Sequence, residues 1–342
     1  MSDLFTATTA AQVEEALARG QDIEEKKGEL SETPLLSACR RGELEVVDCL
    51  LNHGANPNHC PLGVPSPIQM ASHRGHADVV RSLVKAGADI NDNRKGSQSP
   101  LVKASQHGHV DVVDCLLSLG ANTEISDAFG RTALMEASMY GLVDVIDRLL
   151  AAGCNVHAQD RMGSTALMIA AERGFVSVID RLVIHGASFD LQNKFGWSAL
   201  MWASQEGHVE VVNRLLSLNC DVNAVDKRER TALMKACCNK KVEVVRLLLD
   251  HGADPSICDK EGLKAADPDG ETAEIQRLLD GFDLPFSLFF PFTFNRKLQT
   301  DFDHLPSKKR TPIQEEVIIV IFSSSQFSDQ TRQRGKRKKK IY

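Results

Sequence analysis

The sequence predicts an all-α solenoid: a row of stacked helix-turn-helix repeats joined by short β-hairpin turns. Three observations carry that prediction. A hydroxyl residue followed by Pro or Ala recurs every 33 residues, as Thr33-Pro34, Ser66-Pro67, Ser99-Pro100, Thr132-Ala133, Thr165-Ala166, Ser198-Ala199 and Thr231-Ala232. Five residues after each hydroxyl comes an Ala, at 38, 71, 104, 137, 170, 203 and 236, and nine after it a Gly, at 42, 75, 108, 141, 174 and 207. Between those glycines and a second series at 54, 87, 120, 153, 186 and 252 lie apolar residues at helical spacing, such as Val145, Ile146, Leu149 and Leu150. Seven copies in register exclude coincidence, and a period of this length marks a repeat array.

The elements follow in order along the chain. Residues 1–30 hold Val13, Leu17 and Gly20, which match a second helix alone, so this segment is predicted to be an N-terminal capping half-repeat. Seven repeats fill residues 31–262. In each, the Ser or Thr sits where a helix needs an N-cap, and Pro suits the first helical turn. A short first helix, for example Thr132 to Tyr140, ends at a Gly able to take positive φ. The recurrent Ala lets two helices approach closely. A second helix then runs to the second Gly, and a polar turn leads into the next copy. Residues 263–281 form a shortened unit predicted to cap the C-terminus, since an end repeat must show one face to water. The seventh copy departs most: Asn219 and Lys240 stand where other copies have Gly, and Glu229 replaces the turn Gly of positions 130, 163, 196 and 262. In two other turns that Gly is shifted by one, to Gly63 and Gly96. All three turns are expected to have altered geometry.

The stretches Asp127-Ala-Phe-Gly-Arg-Thr-Ala-Leu134 and Gly87-Ala-Asp-Ile-Asn91 bring the pattern to a family. Over about residues 7–281 the chain resembles the ankyrin repeat. The resemblance implies an ankyrin-repeat solenoid and a non-catalytic protein–protein interaction module, an adaptor or scaffold holding its partner on the concave surface. The competing reading is a regulatory or targeting subunit of an enzyme. The family's His after Thr-Pro-Leu is replaced by Leu36, Gln69, Val102, Met135, Met168, Met201 and Met234. Four stacked Met read as flexible core packing rather than a soft-metal or oxidation-sensitive stripe. Asn58, Asn91 and Asn223 occupy the family position where an asparaginyl hydroxylase can act; the competing reading is an Asn that hydrogen-bonds its own turn.

No catalytic constellation emerges. The sequence contains no G-x-x-x-x-G-K-[ST], G-x-G-x-x-G, H-E-x-x-H or G-x-S-x-G motif, so an enzyme, a cofactor and a small-molecule substrate are not expected. The nine cysteines form no C-x-x-C pair and recur at repeat slots (Cys49 with Cys115, Cys39 with Cys237, Cys154 with Cys220), which reads as reduced core thiols. Only the vicinal Cys237-Cys238 leaves room for redox chemistry. His76, His109 and His208 follow the first-helix Gly at a scaffold position. His73 and His107 would need two further converging ligands to hold zinc, so no metal is expected.

The 342 residues are 42% hydrophobic and 5% aromatic, with a net charge of -6. No apolar run approaches the roughly 20 residues of a membrane span, and MSDLFTATTAAQ lacks the pattern of a secretory signal. A monomeric, cytoplasmic protein is expected. A mildly acidic chain is also a poor candidate for direct nucleic-acid binding by the repeats. Residues 282–342 differ in kind. From Gly281 onward there are 12 Lys or Arg against 6 Asp or Glu, leaving 28 against 40 for residues 1–280, and 9 of the 14 Phe lie there. This Phe-rich segment, closing in Arg332-Gln-Arg-Gly-Lys-Arg-Lys-Lys-Lys340, is expected to be a disordered basic tail, with nuclear import as a further possibility.

The variable turn-tip and helix-end positions nominate a partner site. The fourth to seventh copies present Phe129, Arg131, Met139, Tyr140, Met162, Phe195, Trp197, Trp202, Lys227, Arg228 and Arg230. Aromatics are scarce in this chain, and Trp, Tyr and Arg are the usual binding hot spots. Trp197 is read as solvent-facing at a loop tip and Trp202 as lying deeper; the competing reading is that the aromatics brace their turns. The basic run of Lys227, Arg228, Arg230 and Lys235 suits an acidic partner or is a solvated face.

Overall fold

The computed structural model describes residues 3–28, 32–59, 64–94, 97–266 and 273–283. It opens with α1 (Ala10–Ala18). Seven helix pairs follow: α2 (Pro34–Arg41) with α3 (Leu44–Asn52), α4 (Pro67–Arg74) with α5 (Ala77–Lys85), α6 (Pro100–His107) with α7 (Val110–Ser118), and α8 (Ala133–Met139) with α9 (Val143–Ala151). They continue as α10 (Ala166–Arg173) with α11 (Val176–Ile184), α12 (Ala199–Glu206) with α13 (Val209–Ser217), and α14 (Ala232–Cys238) with α15 (Val242–Asp250). The last helix, α16 (Ala273–Asp283), runs two residues past the bound of 281 expected for the final unit.

The helices form two rows. First helices stack on one another from α2 through α14, and second helices stack from α1 through α3 to α15 and α16. Helix α1 therefore joins the second-helix row, as a half-repeat would. All seven recurrent Ala are fully buried, and so is the column of Met135, Met168, Met201 and Met234. That column is core packing.

Capping explains where the first helices start. The hydroxyls of Thr33, Ser66, Ser99, Thr165, Ser198 and Thr231 accept from the amide three residues on at 3.3–3.4 Å, whereas Thr132 makes no such bond. At Ser66 the bond is reciprocal, because the Gln69 side chain accepts from the Ser66 amide. The first-helix glycines do two jobs. Each has positive φ, and each is covered by a side chain of the next repeat. A Cβ on Gly42 would lie 2.5 Å from the His76 ring, one on Gly141 2.8 Å from Phe175, and one on Gly207 2.7 Å from Lys241. The scaffold reading of the histidines is met in the same place: Nε2 of His76, His109 and His208 lies 3.3, 2.9 and 2.9 Å from the carbonyl oxygens of Arg40, His73 and Glu172 in the preceding repeat.

The seventh repeat corrects one expectation. Asn219, Glu229 and Lys240 are the non-glycine residues with positive φ among the described residues, at 59°, 63° and 55°. The Glu229 turn was expected to differ from its neighbours, yet it keeps their geometry, because the stacking on either side fixes the backbone. The shifted Gly63 and Gly96 lie outside the described residues, as do Cys60 and residues 284–342.

A candidate protein-binding surface along the turn tips

Each of five successive turns is built on one Asx side chain. Oδ1 of Asp127 accepts from the amides of Phe129 and Arg131 at 2.8 and 2.9 Å, and Asp160, Asn193, Asp226 and Asp259 repeat the arrangement. The base residue also pairs through its backbone with the residue four on, as in Asp127 N to Arg131 O at 3.0 Å. Neighbouring turns are then linked by single bonds: the Arg161, Lys194, Lys227 and Lys260 amides donate to the carbonyls of Phe129, Met162, Phe195 and Arg228 at 2.9–3.0 Å. The backbone is thus satisfied within the ladder, and the side chains between its rungs are free to face solvent.

Those linking bonds place Phe129, Met162 and Phe195 side by side. They are 66%, 47% and 50% exposed, a contiguous apolar ridge across three repeats. Tyr140, at the end of α8, is 49% exposed. Arg131 is half-buried and lies over the Phe129 ring at 5.6 Å, with Nη1 3.5 Å from Glu136 Oε1 and 3.6 Å from Sδ of the half-buried Met139.

Trp197 and Trp202 are both half-buried, and their rings meet at 4.3 Å. The solvent-facing reading of Trp197 is therefore corrected: one neighbour is Trp202, and Lys235 Nζ sits 3.6 Å from the ring centroid. Lys235 is also misplaced in the basic run. It is only 4% exposed and ion-pairs with Asp226 at 2.8 Å. Arg230 pairs with the same carboxylate at 3.1 Å. Of the run, Lys227 and Arg228 project into solvent.

Burial sets the titration of these groups. Burial pushes Asp226 up, but the hydrogen bond from Lys235 and those from the Arg230 and Arg228 amides outweigh it and hold the carboxyl below its ordinary value. Burial lowers Lys235, partly offset by Asp226. Glu136 occupies the equivalent slot in the fourth repeat and goes the other way: burial raises it more than Arg131 lowers it. The sequence missed both buried charges. The clue available was the column they share, since Ile169 and Trp202 fill it in the fifth and sixth copies.

The three Asn candidates bridge repeats instead of closing their own turns. Oδ1 of Asn58, Asn91 and Asn223 accepts from the amides of Asp89, Asn122 and Asp254, at 2.9, 2.9 and 2.8 Å. Asn58 and Asn223 also donate to the Gly87 and Gly252 carbonyls. A modifying enzyme would have to draw these amides out of a stacked junction.

Other reactive groups are quiet. Cys39, Cys49, Cys115 and Cys237 are buried, and burial pushes the half-buried Cys154 and Cys220 up to about 11. Cys237 faces the core while Cys238 is exposed, so the vicinal pair does not share an environment. His73 and His107 meet edge-on at 4.2 Å, and burial followed by the neighbouring His107 and Lys103 lowers His73. Among the described residues no three His, Cys, Asp or Glu side chains converge as metal ligands. A cavity of about 210 Å3 near Phe189, Asp190, Ser198 and Cys220 brings together a raised thiol and a hydroxyl already used as a helix cap. No described helix is long and apolar enough to cross a membrane.

The described residues form a stack of helix pairs with a side-chain-rich edge of turns, the architecture of a helical repeat protein. The family model for ankyrin repeats (3 copies) matches residues 5–94, 68–160, 135–226, 167–259 and 215–273. The chain belongs to the ankyrin repeat family, whose repeats are generally protein–protein interaction modules and typically non-catalytic. It is similar to the crystal structure of the human ASB11 ankyrin repeat domain, with 25% identity and a TM-score of 0.58 over 65% of this chain and 99% of that one. No curated protein matches the chain in sequence.

Proposed function

We propose that this chain is a non-catalytic adaptor or scaffold that binds a protein partner along the turn tips and first-helix ends of its fourth to seventh repeats. The observation that carries the reading is the exposed ridge of Phe129, Met162 and Phe195, with Tyr140 exposed at the end of α8 in the fourth repeat. Apolar side chains standing in a row on rigid, fully hydrogen-bonded turns add little to folding. A preformed surface of this kind loses little entropy when a partner covers it.

The test separates binding from folding. Full-length protein is used to recover partners, and the recovered partner is titrated against variants. Phe129→Ala, Phe195→Ala and Tyr140→Ala should each weaken binding by about 1–4 kcal/mol with melting temperatures nearly unchanged. Trp197→Ala and Trp202→Ala should lower the melting temperature, because these rings pack on each other and under Lys235. If the three ridge variants melt early yet bind as well as the parent, the aromatics are turn braces and the reading fails.

A further inference from the structure

The geometry points to the chemistry of the partner's contact: an extended segment carrying a carboxylate at about every third residue, with apolar residues between. This inference rests on the binding surface proposed above and specifies what lies on it. Its basis is a second column beside the apolar ridge. Arg161, Lys194, Lys227 and Lys260 each occupy the first position after the turn's Asx residue, and all four are exposed. No ion pair engages any of them among the described residues. The 33-residue interval from 161 to 260 made the row available in the sequence, but only the linked turns show that it forms one edge.

Cations repeated on one edge, unpaired, have no folding role in view. The carboxylates at the base of these turns are already committed: Asp160, Asp226 and Asp259 accept backbone amides, and Asp226 also holds Lys235 and Arg230, while the exposed Glu229 and Glu261 make no ion pair with the row among the described residues. The row is therefore not neutralised from below. The chain's own terminal segment is a poor occupant, since residues 281–342 carry 12 basic against 6 acidic residues. Charge complementarity selects an acidic partner instead.

The spacing selects its conformation. Stacked helices lie about 8–10 Å apart, which sets the step from one turn to the next. An extended chain rises about 3.3 Å per residue, and a polyproline II helix about 3.1 Å with three residues per turn. Three residues of a polyproline II segment thus span one repeat and return a side chain to the same side, whereas a β-strand alternates faces at every residue. An α-helix, rising about 1.5 Å per residue, would match the same step only with a carboxylate at about every seventh residue, so the three-residue spacing is what marks the extended segment. The ridge gives the bound segment a direction as well. Phe129, Met162 and Phe195 are followed in their column by Arg228 and Glu261, so apolar contacts belong over the fourth to sixth tips.

The probe is a labelled dodecapeptide of four Glu-Leu-Pro units, titrated by fluorescence anisotropy against the full chain. Two controls are its Lys-Leu-Pro counterpart and a peptide of the same composition with its four Glu consecutive. Binding at least tenfold tighter than both controls is expected. Arg161→Ala, Lys194→Ala, Lys227→Ala and Lys260→Ala should each weaken it by about two- to fivefold, as exposed ion pairs do. Sites about 10 Å apart act nearly independently, so the fourfold variant should lose at least tenfold, with melting unchanged. No binding of the peptide, no preference over the controls, or unchanged affinity in the fourfold variant would overturn the inference. So would tighter binding of an oligothymidylate at the same salt, which would assign the edge to nucleic acid. If Phe129→Ala and Phe195→Ala lose the recovered protein partner while the fourfold variant keeps it, the acidic-segment inference falls and the binding surface stands. If all of them keep the partner, both fall.

Discussion

Residues 186–207 and their counterparts 33 places on, 219–240, have nearly one backbone and two sequences. In the first stretch Gly186, Gly196 and Gly207 hold φ at 87°, 81° and 87°; in the second, Asn219, Glu229 and Lys240 hold 59°, 63° and 55°. The hydrogen bonds agree at the turn: Gly196 N reaches Asn193 O at 2.9 Å, and Glu229 N reaches Asp226 O at 2.8 Å. They part at the end of the first helix, where Gly207 N reaches Ala203 O and Lys240 N reaches Cys237 O. Left-handed backbone at a non-glycine residue costs roughly 1–2 kcal/mol. At Glu229 the stack imposes the conformation all the same, because the turns on both sides are already hydrogen-bonded to its own. Side chains differ where backbones do not: the slot filled by Trp202 in the sixth repeat holds Lys235 in the seventh and Glu136 in the fourth.

That contrast can be broken most forcefully at Asp226. Asp226→Asn keeps an Asx acceptor but leaves Lys235 buried without a counter-charge, and should cost about 3–5 kcal/mol at neutral pH by chemical denaturation. The pH dependence has a definite sign. Asp226 is held below its ordinary value of 3.8, so its contribution is present above that value and lost as pH falls through the folded value. The gap between parent and variant should therefore close in acid.

Next in size is Gly196→Ala. Its Cβ would lie 2.7 Å from the Lys227 backbone nitrogen and about as close to Asp226, and φ is positive, so a loss of about 2 kcal/mol or more is expected. Melting curves that coincide with the parent would show that the next turn can move aside.

Glu136→Gln should act in the opposite direction, raising stability by about 1 kcal/mol at neutral pH. Because burial lifts the Glu136 carboxyl above 4.5, the parent loses stability as pH rises beyond that value, and the variant should not. A variant whose advantage vanishes at neutral pH would mean that Arg131 fully compensates the charge.

The smallest effects sharpen the comparison. Glu229→Gly and Lys240→Gly should each stabilise by about 0.5–1 kcal/mol, relief of backbone strain being partly cancelled by the greater freedom of unfolded glycine. Asn219→Gly should change little, since Asn tolerates this conformation. A loss at all three would show that these side chains make contacts worth more than the strain.

Much of the fold was legible because it is local and repeated. A hydroxyl caps the amide three residues away, and a glycine opens a turn at its own position, so neither requires knowledge of distant neighbours. The site was legible only in part. Phe129, Met162 and Phe195 could be nominated from their turn positions, and they are exposed. Trp197 and Lys235 were misread because each was judged alone: their environment is made by one another and by Asp226, nine residues before Lys235 and in another element. Charge alone argues for exposure, and only the fold shows that a carboxylate is waiting.

The first-helix glycines have a consequence for how such a chain can diverge. Gly42, Gly75, Gly108, Gly141, Gly174 and Gly207 are sockets, and the residues plugging them are His76, His109, Leu142, Phe175, His208 and Lys241. Four chemically unrelated plugs fit one kind of socket, so drift is permitted on one side of each junction and forbidden on the other. An array lengthened by copying any of the first six units would join at once, since the plug then meets a glycine, and its copies could change their faces without renegotiating the joints; the seventh, with Lys240 at the socket, is the exception.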